Sequence, residues 1–209
     1  MKHDILFLGS QSQSRKDLLN EAGIPFLAIS HRSSELETVF AGDIACYVME
    51  IAQHKMTSLL LPATHDVNRS SILVLTADSV VQHVSSGEIL GKPKDKADAM
   101  RMLELARLSE MLIMTGCCVR EYVWNHEFWN LQREHVWATA AYVEFIVPED
   151  ELEYYFAKLP QAMHSAGAGI LEGFGANYLK SIRGSFSGGR GLPLFELRNV
   201  LRSVGFKFE

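Results

Sequence analysis

Ile5-Leu6-Phe7-Leu8-Gly9-Ser10-Gln11-Ser12-Gln13-Ser14-Arg15-Lys16 passes from four apolar residues through a polar turn into a helical pattern. The apolar run suits a short buried strand, and Ser14–Ala22 suits a helix that Gly23 and Pro25 punctuate. Pro25–Ile29 reads as a second strand. A strand, a turn, a helix and a strand in so few residues make a β-α-β beginning. The same alternation continues. Ala41–Leu61 reads as a long amphipathic helix with Ile44, Val48, Ile51 and Met56 near one face. Ile72–Thr76 is a buried-type strand ending at Ala77-Asp78. Val80–Val84 and Glu88–Leu90 flank a Ser-Ser-Gly turn as a hairpin. Asp95–Leu108 is a helix, and Leu112–Glu121 and Trp137–Ile146 are strands on either side of a polar, aromatic excursion. Pro148 sits in the first turn of a helix to about Lys158. Tyr178–Ile182 reads as a strand and Pro193–Val204 as a helix, between and after two glycine-rich stretches, Gly167–Gly175 and Gly184–Gly191. The expected class is α/β with a mixed sheet. Without a linker, charge block or repeat, residues 1–209 are expected to form a single domain.

Composition narrows the function. Of 209 residues, 47% are apolar and 22% charged, a globular balance, and the formal charge is −5. An acidic chain whose aromatics do not interleave with Lys or Arg is not expected to bind polynucleotides. No apolar run reaches bilayer length, and Met1-Lys2-His3-Asp4 lacks a signal-peptide pattern, so no membrane association is expected and the location is read as cytoplasmic. Cys46, Cys117 and Cys118 show no zinc or redox spacing.

Standard motifs fail on inspection. Gly87…Gly91-Lys92-Pro93 is one residue too tight for a phosphate loop and carries Pro in place of the metal-binding hydroxyl. Gly167-x-Gly169…Gly173 misses the dinucleotide spacing. His126-Glu127-Phe128-Trp129-Asn130 ends in Asn where a zincin helix needs His.

Four polar clusters remain, each at the end of an element. Ser10–Lys16 offers N–H groups, hydroxyls and two cations at a helix N-terminus, a cradle suited to phosphate. Thr76-Ala77-Asp78-Ser79 places an acid directly after a buried strand, where it can bind Mg²⁺ or orient water. Gly91-Lys92-Pro93-Lys94 is a basic turn, and Ala166–Gly175 leads to Gly184–Pro193 through two glycine-rich loops. Taken singly, each also reads as ordinary turn chemistry.

Their order resembles the Maf (septum-formation) family of nucleoside triphosphate pyrophosphatases from about Leu6 to Phe206. The matching residues are Ser10-Gln11-Ser12, Arg15, Ile24-Pro25-Phe26, Glu35, Lys55, Ala77-Asp78, Gly91-Lys92-Pro93, Thr115-Gly116, Ala166-Gly167-Ala168 and Gly191-Leu192-Pro193-Leu194. The resemblance implies a Maf/ITPase-like fold with two lobes around a central cleft, a homodimer, and hydrolysis of a nucleoside triphosphate to the monophosphate and diphosphate. It also implies a divalent metal, Mg or Mn. Asp78 matches the family's proton acceptor. Lys55 and Lys92 are the accompanying catalytic candidates, and Asp78 and Glu35 the metal candidates. Ser10, Ser12, Ser14, Arg15, Ser79 and Glu172 fall at substrate-binding positions. These types suit the reaction, because attack on the α-phosphorus builds charge that positive groups stabilise.

Three of those positions depart from the uridine/thymidine triphosphate branch. Ser14 replaces an arginine, Ser79 a threonine and Glu172 a glutamine, and Gln13 stands where the family has Pro. Glu172-Gly173-Phe174-Gly175 looks like the branch that favours 7-methyl-GTP, although Ser14 lacks the aromatic face of that branch. A carboxylate accepts both N1–H and the amine of guanine but only one donor from uracil. The base therefore stays open between 7-methyl-GTP and dTTP/UTP, with the reading leaning to 7-methyl-GTP. An ion pair of Glu172, for instance with Arg15, would remove it from the base. The altered positions also motivate a different class, a nucleotide-binding regulator of cell division or septum formation with little catalysis. An enzyme for modified or non-standard triphosphates is a third reading.

Overall fold

The computed structural model describes residues 3–31, 38–67 and 69–208. In chain order the elements are β1 (Leu6–Leu8), α1 (Gln13–Glu21), β2 (Phe26–Ala28), α2 (Ile44–Thr57), α3 (Thr64–Val67), β3 (Ser71–His83), β4 (Ile89–Leu90), α4 (Lys96–Leu108), β5 (Met111–Trp124), β6 (Trp129–Phe145), α5 (Leu152–Lys158), β7 (Leu179–Gly184), α6 (Phe186–Gly189) and α7 (Leu194–Ser203), with short 3₁₀ turns between. The seven strands form a mixed sheet in the order β2-β1-β3-β5-β6-β7, with β4 paired to β3. β1 runs parallel to β2 and β3, while β4 and β7 pair antiparallel with β3 and β6. No helix among the described residues is long and apolar enough to cross a membrane.

The chain divides into two compact units. The first holds residues 1–78, 115–138 and 191–209, and the second holds 79–114 and 139–190. In the first, strand alternation sorts side chains onto two faces. Leu6, Leu8, Leu73, Leu75, Ala77, Cys117 and Val119 pack with Leu18 and Leu19 of α1 and Leu197 and Leu201 of α7. Phe7, Ile72, Val74 and Cys118 pack instead with Ala52 and Met56 of α2. In the second unit, Val81, Ile113, Val143 and Phe145 meet α4 through Met102 and Leu103 and α5 through Leu152, Tyr155 and Phe156.

Most expected elements are present, with shifted ends. α2 begins at Ile44 because the Asp43 carboxylate accepts from the N–H groups of Ala45 and Cys46 and caps it there. The segment after Pro148 starts as a 3₁₀ turn, Glu149–Glu151, before α5. One expectation needs correction. β3 does not end at Ala77-Asp78 but runs unbroken to His83, because Val80 and Val81 resume burial beyond the polar step. The strands beside the aromatic excursion are longer than expected, β5 reaching Trp124 and β6 starting at Trp129, so the excursion is the closed end of their hairpin, where the two rings meet edge to face at 5.3 Å.

Candidate active site

The first unit gathers six of the sequence candidates. Ser12 is the residue before α1, and its N–H donates to Ser10 Oγ at 3.2 Å. Arg15, on the first turn of α1, donates from Nη1 to Ser10 Oγ at 3.1 Å and from Nε to the Gly191 carbonyl at 2.9 Å. Both Ser10 and Arg15 are buried. Desolvation lowers the guanidinium pKa, and the negative field of Asp78 opposes that fall. The turn therefore holds a buried cation tied to two segments, with half-buried Ser12 and Ser14 beside it.

Asp78 is the fourth member of a strand face. Ile72, Val74, Thr76 and Asp78 alternate toward α2, and Thr76 donates from Oγ1 to the Ala52 carbonyl at 2.6 Å. Lys55 lies one helical turn beyond Ala52, and its Nζ donates to Asp78 Oδ1 at 2.6 Å. The pair is partly accessible, with the lysine side chain 31% and the aspartate 18% exposed. α2 can approach so closely because Gly116 of β5 has no side chain. A Cβ there would lie 2.3 Å from the Val48 carbonyl oxygen.

Ser79, Lys92 and Glu172 belong to the second unit. Ser79 is half-buried on β3 and Lys92 is exposed. The Gly91 carbonyl accepts from Gly167 N–H at 3.0 Å, which ties the Lys92 turn to the first glycine-rich stretch. Gly167 takes φ +68°, a left-handed conformation that glycine adopts without penalty. Tyr155 clamps the same stretch, its hydroxyl donating to the Ala168 carbonyl at 2.9 Å and accepting from Ile170 N–H at 3.1 Å. Glu172 pairs with Arg190, with Oε2 3.9 Å from Nε. The partner named from sequence for such a pair was Arg15, and Arg190 takes that place because β7 and α6 return the chain to the glycine stretch.

Glu35 lies outside the described residues. Sequence reasoning passed over Arg190, inside a glycine loop, and over the positioning role of Thr76, whose hydroxyl in an otherwise apolar strand face was the available signal. Among the described residues no group of three His, Cys, Asp or Glu side chains is arranged to hold a metal. Asp78 is a single carboxylate, a donor set that suits a Mg²⁺ or Mn²⁺ ion shared with substrate phosphates and does not suit an all-protein cage.

A family model described as Maf-like protein matches residues 5–204. The chain is 37% identical over 192 residues to the dTTP/UTP pyrophosphatase of Acholeplasma laidlawii, covering 91% of each chain. It is 32% identical over 202 residues to the dTTP/UTP pyrophosphatase of Ruminiclostridium cellulolyticum, covering 97% of each. A protein of that name from Anaeromyxobacter dehalogenans is 33% identical over 204 residues, 96% of this chain and 94% of the relative.

Proposed function

The chain belongs to the Maf-like protein family, and we propose that it is a pyrophosphatase converting dTTP and UTP to the nucleoside monophosphate and pyrophosphate. The names of its relatives support this base class over 7-methyl-GTP. The observation that carries the chemistry is the Lys55–Asp78 contact of 2.6 Å at the end of a strand face.

In the proposed reaction, water attacks the α-phosphorus. A P–O bond forms to the water oxygen, and the bond to the bridging oxygen of the β-phosphate breaks, its electron pair leaving on pyrophosphate. Asp78 takes the water's proton, and Lys55 orients that carboxylate and can turn its other donors to a phosphate oxygen. Ser10 Oγ already accepts from Ser12 N–H and Arg15, so its own proton is left to donate to the triphosphate. Arg15 supplies a fixed positive field. Lys92, on its exposed turn, is assigned to the departing pyrophosphate, and Ser14, Ser79 and Glu172 to the nucleoside; the 3.9 Å pair with Arg190 leaves the Glu172 side chain 36% exposed, so the pairing expected to withdraw it from the base leaves it accessible. Asp78 would hold the divalent ion together with the phosphates, with Glu35 as the second candidate. When bound, that ion draws charge from the phosphate oxygens. The same reading takes residues 1–209 as one working domain that dimerises, which light scattering tests.

The deciding experiment is pyrophosphate release from dTTP, UTP, the other common triphosphates and 7-methyl-GTP with Mg²⁺ or Mn²⁺, beside Asp78→Ala. Turnover of dTTP and UTP that vanishes in the variant, with circular dichroism unchanged, is the expected result. Full turnover in Asp78→Ala would overturn the mechanism, and a best rate on 7-methyl-GTP would overturn the base class.

A further inference from the structure

We infer that Arg190 is a second base-selecting residue, acting with Glu172 as a composite donor and acceptor for thymine and uracil. This rests on the proposed assignment of Glu172 to the nucleoside.

The problem is one of matching edges. Uracil and thymine present one donor, N3–H, between two carbonyl acceptors. A lone carboxylate accepts from N3–H but faces a neighbouring carbonyl with negative charge. Guanine presents two adjacent donors, N1–H and the exocyclic amine, which a lone carboxylate accepts together. By itself Glu172 therefore fits guanine.

Glu172 is not by itself. The Arg190 side chain is 10% exposed and the Glu172 side chain 36%, so the carboxylate is the more accessible member of the pair. The backbone places Arg190 firmly. Its N–H donates to the Phe186 carbonyl at 3.3 Å, closing α6, whose start is capped by Ser185 Oγ accepting from Gly188 N–H at 3.0 Å. The guanidinium also lies 5.9 Å from the Phe186 ring centre. On the other side, Gly175 N–H donates to the Glu172 carbonyl at 3.1 Å, and Gly175 passes too near the Ile170 carbonyl oxygen to carry any side chain. Both members are thus mounted on tight turns.

The guanidinium, 3.9 Å away, sets a positive charge beside Oε2 and leaves the other oxygen as the better acceptor for N3–H. The arginine N–H groups supply the donor that a pyrimidine carbonyl requires. The same charge weakens Oε2 as the second acceptor that guanine needs. The pair presents the acceptor and donor that a single amide side chain would present, so Glu172→Gln is the compensating change when Arg190 is removed.

The test compares kcat/KM for UTP, dTTP and GTP in wild type, Arg190→Ala, Arg190→Lys, Glu172→Gln and the Glu172→Gln/Arg190→Ala double variant. The ratio of UTP to GTP within one preparation does not depend on the folded fraction. Arg190→Ala is expected to lower that ratio by about tenfold or more, the scale of a mismatched polar edge. Arg190→Lys should recover part of it, and the double variant should return to within about threefold of wild type. If Glu172→Gln changes the ratio and Arg190→Ala does not, this inference is wrong while Glu172 remains a base-reading residue. If neither changes it, the assignment of Glu172 falls and this inference with it.

Discussion

Replacing Gly116 with alanine tests whether catalysis depends on how closely α2 is seated. The added Cβ would lie 2.3 Å from the Val48 oxygen, 2.4 Å from its carbonyl carbon and 2.7 Å from Met49 nitrogen. All three atoms are backbone, so no rotamer change relieves the overlap. Ordinary contact begins at 3.4 Å, so helix and strand must separate by about 1.1 Å. Val48, Ala52 and Lys55 occupy one face of α2, and Val48 and Ala52 are wholly buried. A displacement at Val48 is therefore carried two turns along to Lys55, whose contact with Asp78 is only 2.6 Å long. A misplacement of about 1 Å costs on the order of a hundredfold in rate, and overpacking of this kind costs about 1–3 kcal/mol in stability. The assay is kcat for pyrophosphate release at saturating UTP, alongside a urea melt. A variant with kcat within twofold of wild type and an unchanged melt would refute the claim that Gly116 seats the catalytic lysine.

Other outcomes follow from single contacts. Thr76→Val keeps the shape but loses the 2.6 Å bond to the Ala52 carbonyl, so stability should fall by about 1 kcal/mol with a lower kcat; an unchanged urea midpoint and rate would dismiss the bond as a positioning device. Burial pushes the Cys118 thiol up to about 12, from 9.0 for a free thiol, and raises Cys117 as well. Both stay neutral in the folded state after the unfolded chain has begun to ionise, so their stabilisation is present below pH 9 and is lost as pH rises from there toward 12. A melting temperature that stays level across that window would contradict this. Thiol reagents at pH 8 should modify exposed Cys46 in the native protein and reach Cys117 and Cys118 only on unfolding, which peptide mass mapping would establish or disprove. Asp95→Ala removes the carboxylate that accepts from Asp98 N–H at the start of α4 and should cost about 1 kcal/mol without changing kcat; an equal melt would discount the cap.

The beginning of the fold was legible because its signals are local. Ile5–Leu8, the turn and the helix after it announce β1 and α1, and Gly23 with Pro25 mark the return into β2. β3 was harder. Its apolar run stops at Thr76, and a polar Asp78-Ser79 step reads as an end. The strand continues because its two halves are buried in different cores. Leu73, Leu75 and Ala77 serve the core of the first unit, and Val81 serves the core of the second. Periodicity within one window cannot reveal that a strand changes partners midway. The same limit hid Arg190. Nothing near Glu172 in the sequence names its ion-pair partner, which arrives only after β7 and α6 have brought the chain back.

The position of the proposed catalytic pair follows from how α2 lies on the sheet. Ile72, Val74, Thr76 and Asp78 share one face of β3, Ala52 and Met56 of α2 pack in one core with Ile72 and Val74, and Val48 lies against Gly116 of β5. The apolar members of this contact are buried, whereas Lys55 and Asp78 are partly exposed. The hydroxyl of Thr76 marks the crossing point, since it bonds the Ala52 carbonyl where the contact changes from packing to polar. Apolar burial sets the approach of helix and strand, Gly116 permits it, and the Thr76 bond fixes the register. Lys55 and Asp78 then meet at a partly accessible point of the contact. A charge pair one step deeper, at Thr76 and Ala52, would face the full desolvation of a buried ion pair. The reactive carboxylate stands where the core still positions it and water can still reach it.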